Sequence, residues 1–276
     1  MLSTKRSEYI NIINKTYMKK LIQKFLAVIT ATPMLLIGSP AFIAQAASAN
    51  PALNPADACS LDIALVLDKS GSIGGNEAEI KGAAKAVVNA FLPATDTELG
   101  VIFFDSTSAV VQPLTNNVTD LETAIDTLSA GGGTFWGPAI DDGRTMLEVG
   151  DRDDADHKDL MIMFSDGSPS DTGEAEADAA KTSASTMPIR ILGVGIGTGA
   201  ATSSFRTITN GGSSVVSPPD AFGIDTDIVM SDFATLEADL VALVNSLCDE
   251  TIPEEDGGDD TVINKNSAYV KNVVSS

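Results

Sequence analysis

Basic residues are scarce in this sequence. The chain of 276 residues holds 17 lysines and arginines against 38 aspartates and glutamates, a formal net charge of −21. Residues 47–276 alone carry 11 basic and 37 acidic side chains, a net charge of −26. Such a surface repels a polyanion, so we expect no nucleic acid partner. The excess of acids is typical of a solvated acidic surface, with clustered calcium sites as the alternative.

Histidine is almost absent, and with it the usual general base of hydrolases. His157 is the only one, and it lies in the acidic segment DRDDADHKD. The chain also has no Gly-x-Ser-x-Gly elbow, so the sequence gives no support to a serine–histidine–aspartate triad. We interpret His157 as a surface residue and expect no enzyme activity.

Apolar runs long enough to cross a membrane are missing from residue 47 onward. Residues 18–46 combine a basic start, an apolar stretch and the small residues Ala44-Gln45-Ala46, the pattern of a secretory signal peptide. Prolines and a glycine interrupt the apolar stretch, which argues against an uncleaved anchor. We therefore predict an upstream extension at 1–17 and a signal peptide at 18–46. The product is expected to be secreted, periplasmic or at the cell surface, with no membrane span after cleavage.

Only two cysteines, Cys59 and Cys248, are present, and they flank nearly everything that has the pattern of folded structure. In an exported protein two such thiols favour a disulfide. Closing so long a loop would stabilise the fold by up to about 5 kcal/mol on the chain-entropy model. The alternative is two unpaired, small apolar side chains.

Unbroken apolar runs alternate with amphipathic segments between the two cysteines. We predict strands at 62–68, 98–105, 109–115, 159–166 and 189–196. We predict helices at 76–92, 118–130, 138–149 and 233–247, with Thr119 as a cap and Pro138 at a first helical position.

Apolar strands without alternation, separated by helices, imply a mostly parallel sheet with helices on both faces. Pro113 relegates the strand at 109–115 to an edge. We assign one α/β domain to residues 59–248, preceded by a linker at 47–58 and followed by an acidic disordered tail at 249–276.

Polar side chains follow two of these strands and one glycine-rich loop. Asp68, Ser70 and Ser72 come at the end of the first strand, Asp166 follows LMIMFS, and Thr134 follows three glycines. Ligands of doubly wound sheets bind beyond the carboxyl ends of the strands. Carboxylate and hydroxyl oxygens are suited to Mg²⁺, Mn²⁺ or Ca²⁺, and zinc is disfavoured because no thiol or imidazole lies there.

Three motifs resemble the metal-ion-dependent adhesion site of the von Willebrand factor type A domain. They are Asp68-Lys69-Ser70-Gly71-Ser72, Gly133-Thr134 and Ser165-Asp166-Gly167. The resemblance covers about residues 60–248 and implies a Rossmann-like, doubly wound, mostly parallel sheet with one antiparallel edge strand. It also implies that Ser70, Ser72 and Thr134 coordinate a divalent cation directly, while Asp68 and Asp166 bind it directly or through water. Mg²⁺ is the expected ion, with Mn²⁺ or Ca²⁺ as alternatives, and some members share a bracketing cysteine pair.

Two aromatic residues depart from the family pattern beside Thr134. Family members often have Asn or a small residue where Phe135 and Trp136 stand. The rings would either close the site or supply an apolar contact next to the ion. A tryptophan packed on the adjacent helix is the alternative for Trp136.

The resemblance implies an adhesion or surface-assembly protein whose cation captures an Asp or Glu carboxylate of a protein ligand. One alternative is a scaffold in which the ion is purely structural. Another is dinucleotide binding, because Gly195-x-Gly197-x-x-Ala200 follows a strand, with Asp220 20 residues further on. This run follows a late strand rather than the first, so we favour a flexible strand end.

Overall fold

The sheet forms where the unbroken apolar runs predict it. A computed structural model describes residues 48–53, 60–92, 95–150, 152, 157–182, 188–210, 214–217, 222 and 225–248. Within these residues seven strands form one sheet. The strands are β1 Leu61–Asp68, β2 Glu98–Phe104, β3 Ser108–Thr115, β4 Lys158–Ser165, β5 Arg190–Ile196, β6 Ser214–Val216 and β7 Thr226–Ser231.

The strand order is β3-β2-β1-β4-β5-β7-β6. Neighbouring strands are parallel except β2 and β3, which are antiparallel, so β3 is the predicted antiparallel edge strand. The chain moves from β1 to β2 on one side and later places β4 on the other side of β1. The carboxyl ends of β1 and β4 therefore meet at the point where the winding reverses, which is where doubly wound sheets bind ligands.

Helices cover both faces of the sheet, as predicted. Alternate residues of β1 show the two layers, since Ile63, Leu65 and Leu67 join the core on one face and Ala64 and Val66 join the core on the other. The first face is covered by α1, α2 and α6, and the second by α3, α4 and α5. Their bounds are α1 Glu77–Phe91, α2 Val118–Asp126, α3 Trp136–Gly150, α4 Glu174–Lys181, α5 Thr202–Ile208 and α6 Leu236–Cys248, and a 3-10 turn spans Gly71–Ile73.

Several local expectations about helix ends are wrong. Asn117, not Thr119, caps α2, because its side chain accepts the backbone N–H of Thr119 at 3.0 Å. The same helix ends at Asp126 rather than residue 130. Pro138 is the third residue of α3 rather than the first. Four elements, namely α4, α5, β6 and β7, were not predicted.

Part of the predicted linker at 47–58 packs on the domain. The side-chain amide of Asn50 donates to the carbonyl of Ile191 at 2.8 Å and accepts the N–H of Ile191 at 2.9 Å, as a neighbouring strand would. Arg190 donates to the carbonyl of Pro51 at 2.7 Å, and Leu53 is buried in the core. Residues 48–53 therefore lie against the amino-terminal end of β5.

The described residues all belong to one compact unit. No helix in the described part of the chain has the length and apolar character needed to cross a membrane. The predicted upstream extension, signal peptide and tail lie outside the described residues. So does Cys59, and the side chain of Cys248 at the end of α6 is not described either. The disulfide between them stays a prediction.

Candidate metal site

The candidate site lies at the carboxyl ends of the adjacent strands β1 and β4. Asp68 is the last residue of β1, Ser165 is the last residue of β4, and Asp166 follows it directly. Because parallel strands end at the same edge of the sheet, polar residues that close two apolar runs come together there. The position of Asp68 and Asp166 at the carboxyl ends of neighbouring strands therefore follows from the sequence.

Asp68 is fully buried and both of its carboxylate oxygens accept hydrogen bonds. The backbone N–H of Ser70 donates to Oδ1 at 2.7 Å, and the hydroxyl of Ser165 donates to Oδ2 at 2.6 Å. Burial raises the pKa of Asp68, and the hydrogen bonds from Ser165 and Ser70 oppose the rise. Asp68 thus fixes the loop after β1 to the end of β4. Ser165 was quoted in the sequence motif, but its role was not predicted.

Two hydroxyls and one carboxylate form a chain beside Asp68. The oxygens of Ser70 and Ser72 lie 2.9 Å apart, and the Ser72 hydroxyl donates to Oδ1 of Asp166 at 2.6 Å. A hydroxyl has one proton, so the 2.9 Å contact is a hydrogen bond from Ser70 to Ser72. Ser70 is buried, whereas Ser72 is exposed. Asp166 is also buried, so the chain joins two buried side chains through the exposed hydroxyl of Ser72.

The glycine-rich loop that carries Thr134 is tied to the loop after β1. Gly131 donates its N–H to the carbonyl of Lys69 at 2.7 Å, and Gly71 donates to the carbonyl of Gly132 at 3.1 Å. Gly132 has a φ of 82°, a conformation that favours glycine. These bonds bring the backbone of the loop before Thr134 against the Ser70–Ser72 segment.

A third loop also holds Thr134. The backbone carbonyl of Thr134 accepts the N–H of Ser170 at 2.7 Å, and Ser170 lies in the segment between β4 and α4. Asp171 accepts the N–H groups of Trp136 at 2.6 Å and Gly137 at 3.0 Å, so it caps the start of α3. The half-buried Thr134 thus lies between the β1 loop and the β4 loop.

A fourth loop, between β2 and β3, was not predicted to take part. Asp105 forms an ion pair with Lys69, and its carbonyl accepts the N–H of Phe135 at 3.0 Å. Burial acts to raise the pKa of Asp105, but hydrogen bonds from Lys69 and Thr107 outweigh it and lower that pKa. The sequence signal was available, because Asp105 follows the apolar run VIFF as Asp68 follows ALVL.

The two aromatic residues after Thr134 have different environments. Trp136 is fully buried, with its ring 4.7 Å from that of Phe205 in α5. It therefore packs on an adjacent helix and does not close the site. Phe135 is 36% exposed.

The donor set fits a hard divalent cation. Ligands at right angles around an ion at about 2.0–2.1 Å are about 2.8–3.0 Å apart, and the oxygens of Ser70 and Ser72 have that separation. The described residues contain no cluster of three or more histidine, cysteine, aspartate or glutamate side chains able to hold a metal. Hydroxyls must therefore supply part of any coordination here. That Asp68, Ser70, Ser72, Thr134 and Asp166 bind an ion remains a prediction.

The single histidine lies away from the site, whereas Gly195 pairs with Ser165 at the end of β4. His157 precedes β4, at the opposite end of that strand from Asp166, and its Nε2 lies 3.2 Å from Oδ2 of Asp96. A side chain at Gly195 would approach the sulfur of Met230 within 2.7 Å, so close packing accounts for this glycine. Asp220 lies outside the described residues.

The sequence model of the von Willebrand factor type A domain matches residues 62–227, more than half of the chain. The chain belongs to this family. The resemblance carried by the three motifs is thereby confirmed at the level of the domain. No curated protein matches the sequence.

Solved structures share the von Willebrand factor type A fold with this chain. One is proximal thread matrix protein 1 from the mussel byssus, whose metal-ion-dependent adhesion site (MIDAS) motif is occupied by zinc. It is 22% identical in sequence, with a TM-score of 0.54, and the match covers 69% of this chain and 46% of the mussel protein. A von Willebrand factor type A protein from Catenulispora acidiphila is 16% identical in sequence, with a TM-score of 0.54. The match covers 68% of this chain and 43% of that protein. The pilus adhesin SpaC from Lactobacillus rhamnosus GG is 19% identical in sequence, with a TM-score of 0.52. The match covers 68% of this chain and 30% of the adhesin. The chain spans less than half the length of each.

Proposed function

We propose that this domain binds a protein ligand through a divalent cation held by Asp68, Ser70, Ser72, Thr134 and Asp166. The observation that carries the proposal is the hydrogen-bonded chain from Ser70 through Ser72 to Asp166 at the carboxyl ends of β1 and β4. These side chains offer several oxygens at the point where doubly wound sheets bind ligands.

The charge of the donor set favours capture of an anion. When bound, a divalent cation supplies positive charge and a coordination position for an incoming oxygen. The three hydroxyls are neutral, and Asp68 already accepts two hydrogen bonds within the protein. Only Asp68 and Asp166 therefore offset the charge of the ion, and an Asp or Glu carboxylate of a partner would supply the oxygen for the remaining coordination position.

Mg²⁺ is the ion we propose, with Mn²⁺ and Ca²⁺ as alternatives. The oxygen-only donor set supports these hard ions over zinc. The zinc-occupied motif of the mussel protein is a reason to include Zn²⁺ in any titration.

We further propose an exported protein with a role in adhesion or surface assembly and no catalytic activity. The predicted signal peptide supports export, and the folds shared with a byssus matrix protein and a pilus adhesin suit an extracellular role. A scaffold with a purely structural ion is the competing function.

Calorimetric titration with MgCl₂ and MnCl₂ tests the metal site. We expect one bound ion per wild-type domain, and at least tenfold weaker binding for Asp166→Asn and Thr134→Ala, a loss of about 1.4 kcal/mol or more. Thr119→Ala is the matched control, because this exposed threonine lies on α2, away from the site.

Thermal melting of each variant shows whether the fold is kept. A wild-type domain that binds no divalent ion, or variants that bind as tightly as the wild type, would remove the metal site from the proposal. Ion binding without any ion-dependent ligand binding would leave the scaffold function.

A further inference from the structure

Phe135 is an exposed aromatic residue next to a predicted metal ligand. Among the described residues, the exposed large apolar side chains are Val110, Val111, Phe135 and Val149. Val110 and Val111 lie on the edge strand β3, and Val149 is near the end of α3. Phe135 alone of the four is aromatic, and it directly follows Thr134.

The backbone of Phe135 is held by neighbouring residues, while its side chain is partly exposed. Its N–H donates to the carbonyl of Asp105 at 3.0 Å, and the next residue, Trp136, is anchored in the core. A side chain at Gly133 would lie 3.4 Å from the ring carbon Cε2, so glycine leaves the ring uncovered on that side. The backbone of Phe135 is therefore held beside Thr134, and its ring is partly exposed there.

The charge of the protein makes such an apolar contact useful. Residues 47–276 carry a net charge of −26, which repels an acidic partner at long range. A carboxylate gains attraction only within a short distance of the ion. The free energy gained by burying apolar surface does not depend on the charge of either protein. An apolar contact can therefore add affinity for an acidic partner that the negative charge of this protein repels.

We propose that Phe135 forms a second contact of the binding site, and that the partner presents an Asp or Glu with a large apolar side chain within two residues of it. This inference rests on the proposed cation-dependent binding of a carboxylate. The spacing follows from the chain, because Thr134 and Phe135 are adjacent and consecutive Cα atoms are about 3.8 Å apart. The acid would face the ion while the apolar side chain covers the Phe135 ring.

A random peptide display library panned on the full-length protein in Mg²⁺, with elution by EDTA, tests the inference. On the wild type we expect enrichment of Asp or Glu with Leu, Ile, Met, Phe or Trp within two positions. Phe135→Ala is expected to keep the enrichment of acids and to lose the apolar preference. Val149→Ala, which removes an exposed apolar side chain at the far end of α3, is expected to select the same peptides as the wild type.

Synthetic peptides make the result quantitative. We expect replacement of the apolar residue by Ser to weaken binding to the wild type about tenfold and binding to Phe135→Ala less than threefold. Replacement of the acid by its amide should abolish EDTA-sensitive binding to both proteins. Calorimetric ion titration of Phe135→Ala checks that its metal site is formed.

The two possible failures can be told apart. Acidic peptides without an apolar preference on the wild type, or an apolar preference that survives in Phe135→Ala, would overturn the role of Phe135 and leave the proposed function standing. No enrichment of acids, no enriched peptide at all, or binding that resists EDTA would overturn the proposed function itself.

Discussion

An aspartate stands at the carboxyl end of three neighbouring strands, and each carboxylate has a different environment. Asp68 is enclosed and accepts two hydrogen bonds, Asp166 lies beside the hydroxyl of Ser72, and Asp105 pairs with Lys69. The position of all three could be predicted, because each follows an apolar run. Their roles could not, since these depend on which side chain of another loop reaches each carboxylate.

The Lys69–Asp105 pair is expected to set the affinity of the predicted metal site. Lys69 lies between two predicted ligands in sequence, so its ammonium opposes a bound cation unless Asp105 compensates it. We expect several-fold weaker Mn²⁺ binding for Asp105→Asn, stronger binding for Lys69→Met, and near wild-type binding for the double variant, all measured by calorimetry. None of these substitutions removes the backbone carbonyl of residue 105, which accepts the N–H of Phe135.

The double variant separates charge from structure. If it binds the ion as weakly as Asp105→Asn alone, then Asp105 acts by shaping the turn with Thr107, whose N–H it accepts at 2.8 Å. The electrostatic explanation would then be wrong.

At the scale of elements, α3 shows what the sequence cannot reveal. Pro138 suggested a helix start, but the helix begins at Trp136 because Asp171, 35 residues away in sequence, accepts its N–H. The helix α4 was missed for a related reason, since its buried apolar residues are only the two alanines Ala177 and Ala180. Long apolar strands could be predicted because their own apolar residues indicate that they are buried.

Removing the cap of α3 is expected to affect both stability and the site. Asp171→Ala leaves the N–H groups of Trp136 and Gly137 without their acceptor, which costs about 1–2 kcal/mol of unfolding free energy. Ion affinity should also fall, because Thr134 lies just before this helix. Chemical denaturation and Mn²⁺ titration give the two readouts.

Asp141→Ala is the control for this change. Asp141 is an exposed carboxylate of the same helix, paired with Arg144 at the surface, and such pairs contribute about 0–1 kcal/mol. Equal losses for the two variants would show that Asp171 contributes no more than an ordinary surface charge.

At the scale of the whole molecule, the doubly wound architecture could be predicted from the alternation of apolar strands and helices. The packing of residues 48–53 could not, since Asn50 meets Ile191 at a separation of 141 residues. An Ala, Pro and Asn composition indicates a linker whether or not one side chain finds such a partner. The sequence also could not show that β6 and β7 extend the sheet, because β6 has only three residues and the apolar run of β7 is only Ile228–Met230.

A disulfide between Cys59 and Cys248 is expected in the exported protein. Mass spectrometry of a non-reduced digest should show the two peptides linked. A reducing agent should lower the unfolding free energy by up to about 5 kcal/mol, because the unfolded chain is then no longer closed into a loop. The double variant Cys59→Ala/Cys248→Ala should not respond to the reducing agent. Two free thiols in protein recovered from an oxidising compartment would contradict the pairing.

The attachment of residues 48–53 has a mechanical consequence. Residues 48–53 meet β5 and β7 near the starts of those strands, whereas Ser70 and Ser72 lie beyond the end of β1. A pull applied between the amino-terminal segment and a ligand on the site would therefore run from the starts of β5 and β7 to the carboxyl ends of β1 and β4. The parallel strands β1, β4 and β5 between these two points would resist in shear, with the hydrogen bonds along each pair of strands sharing the load rather than opening one after another.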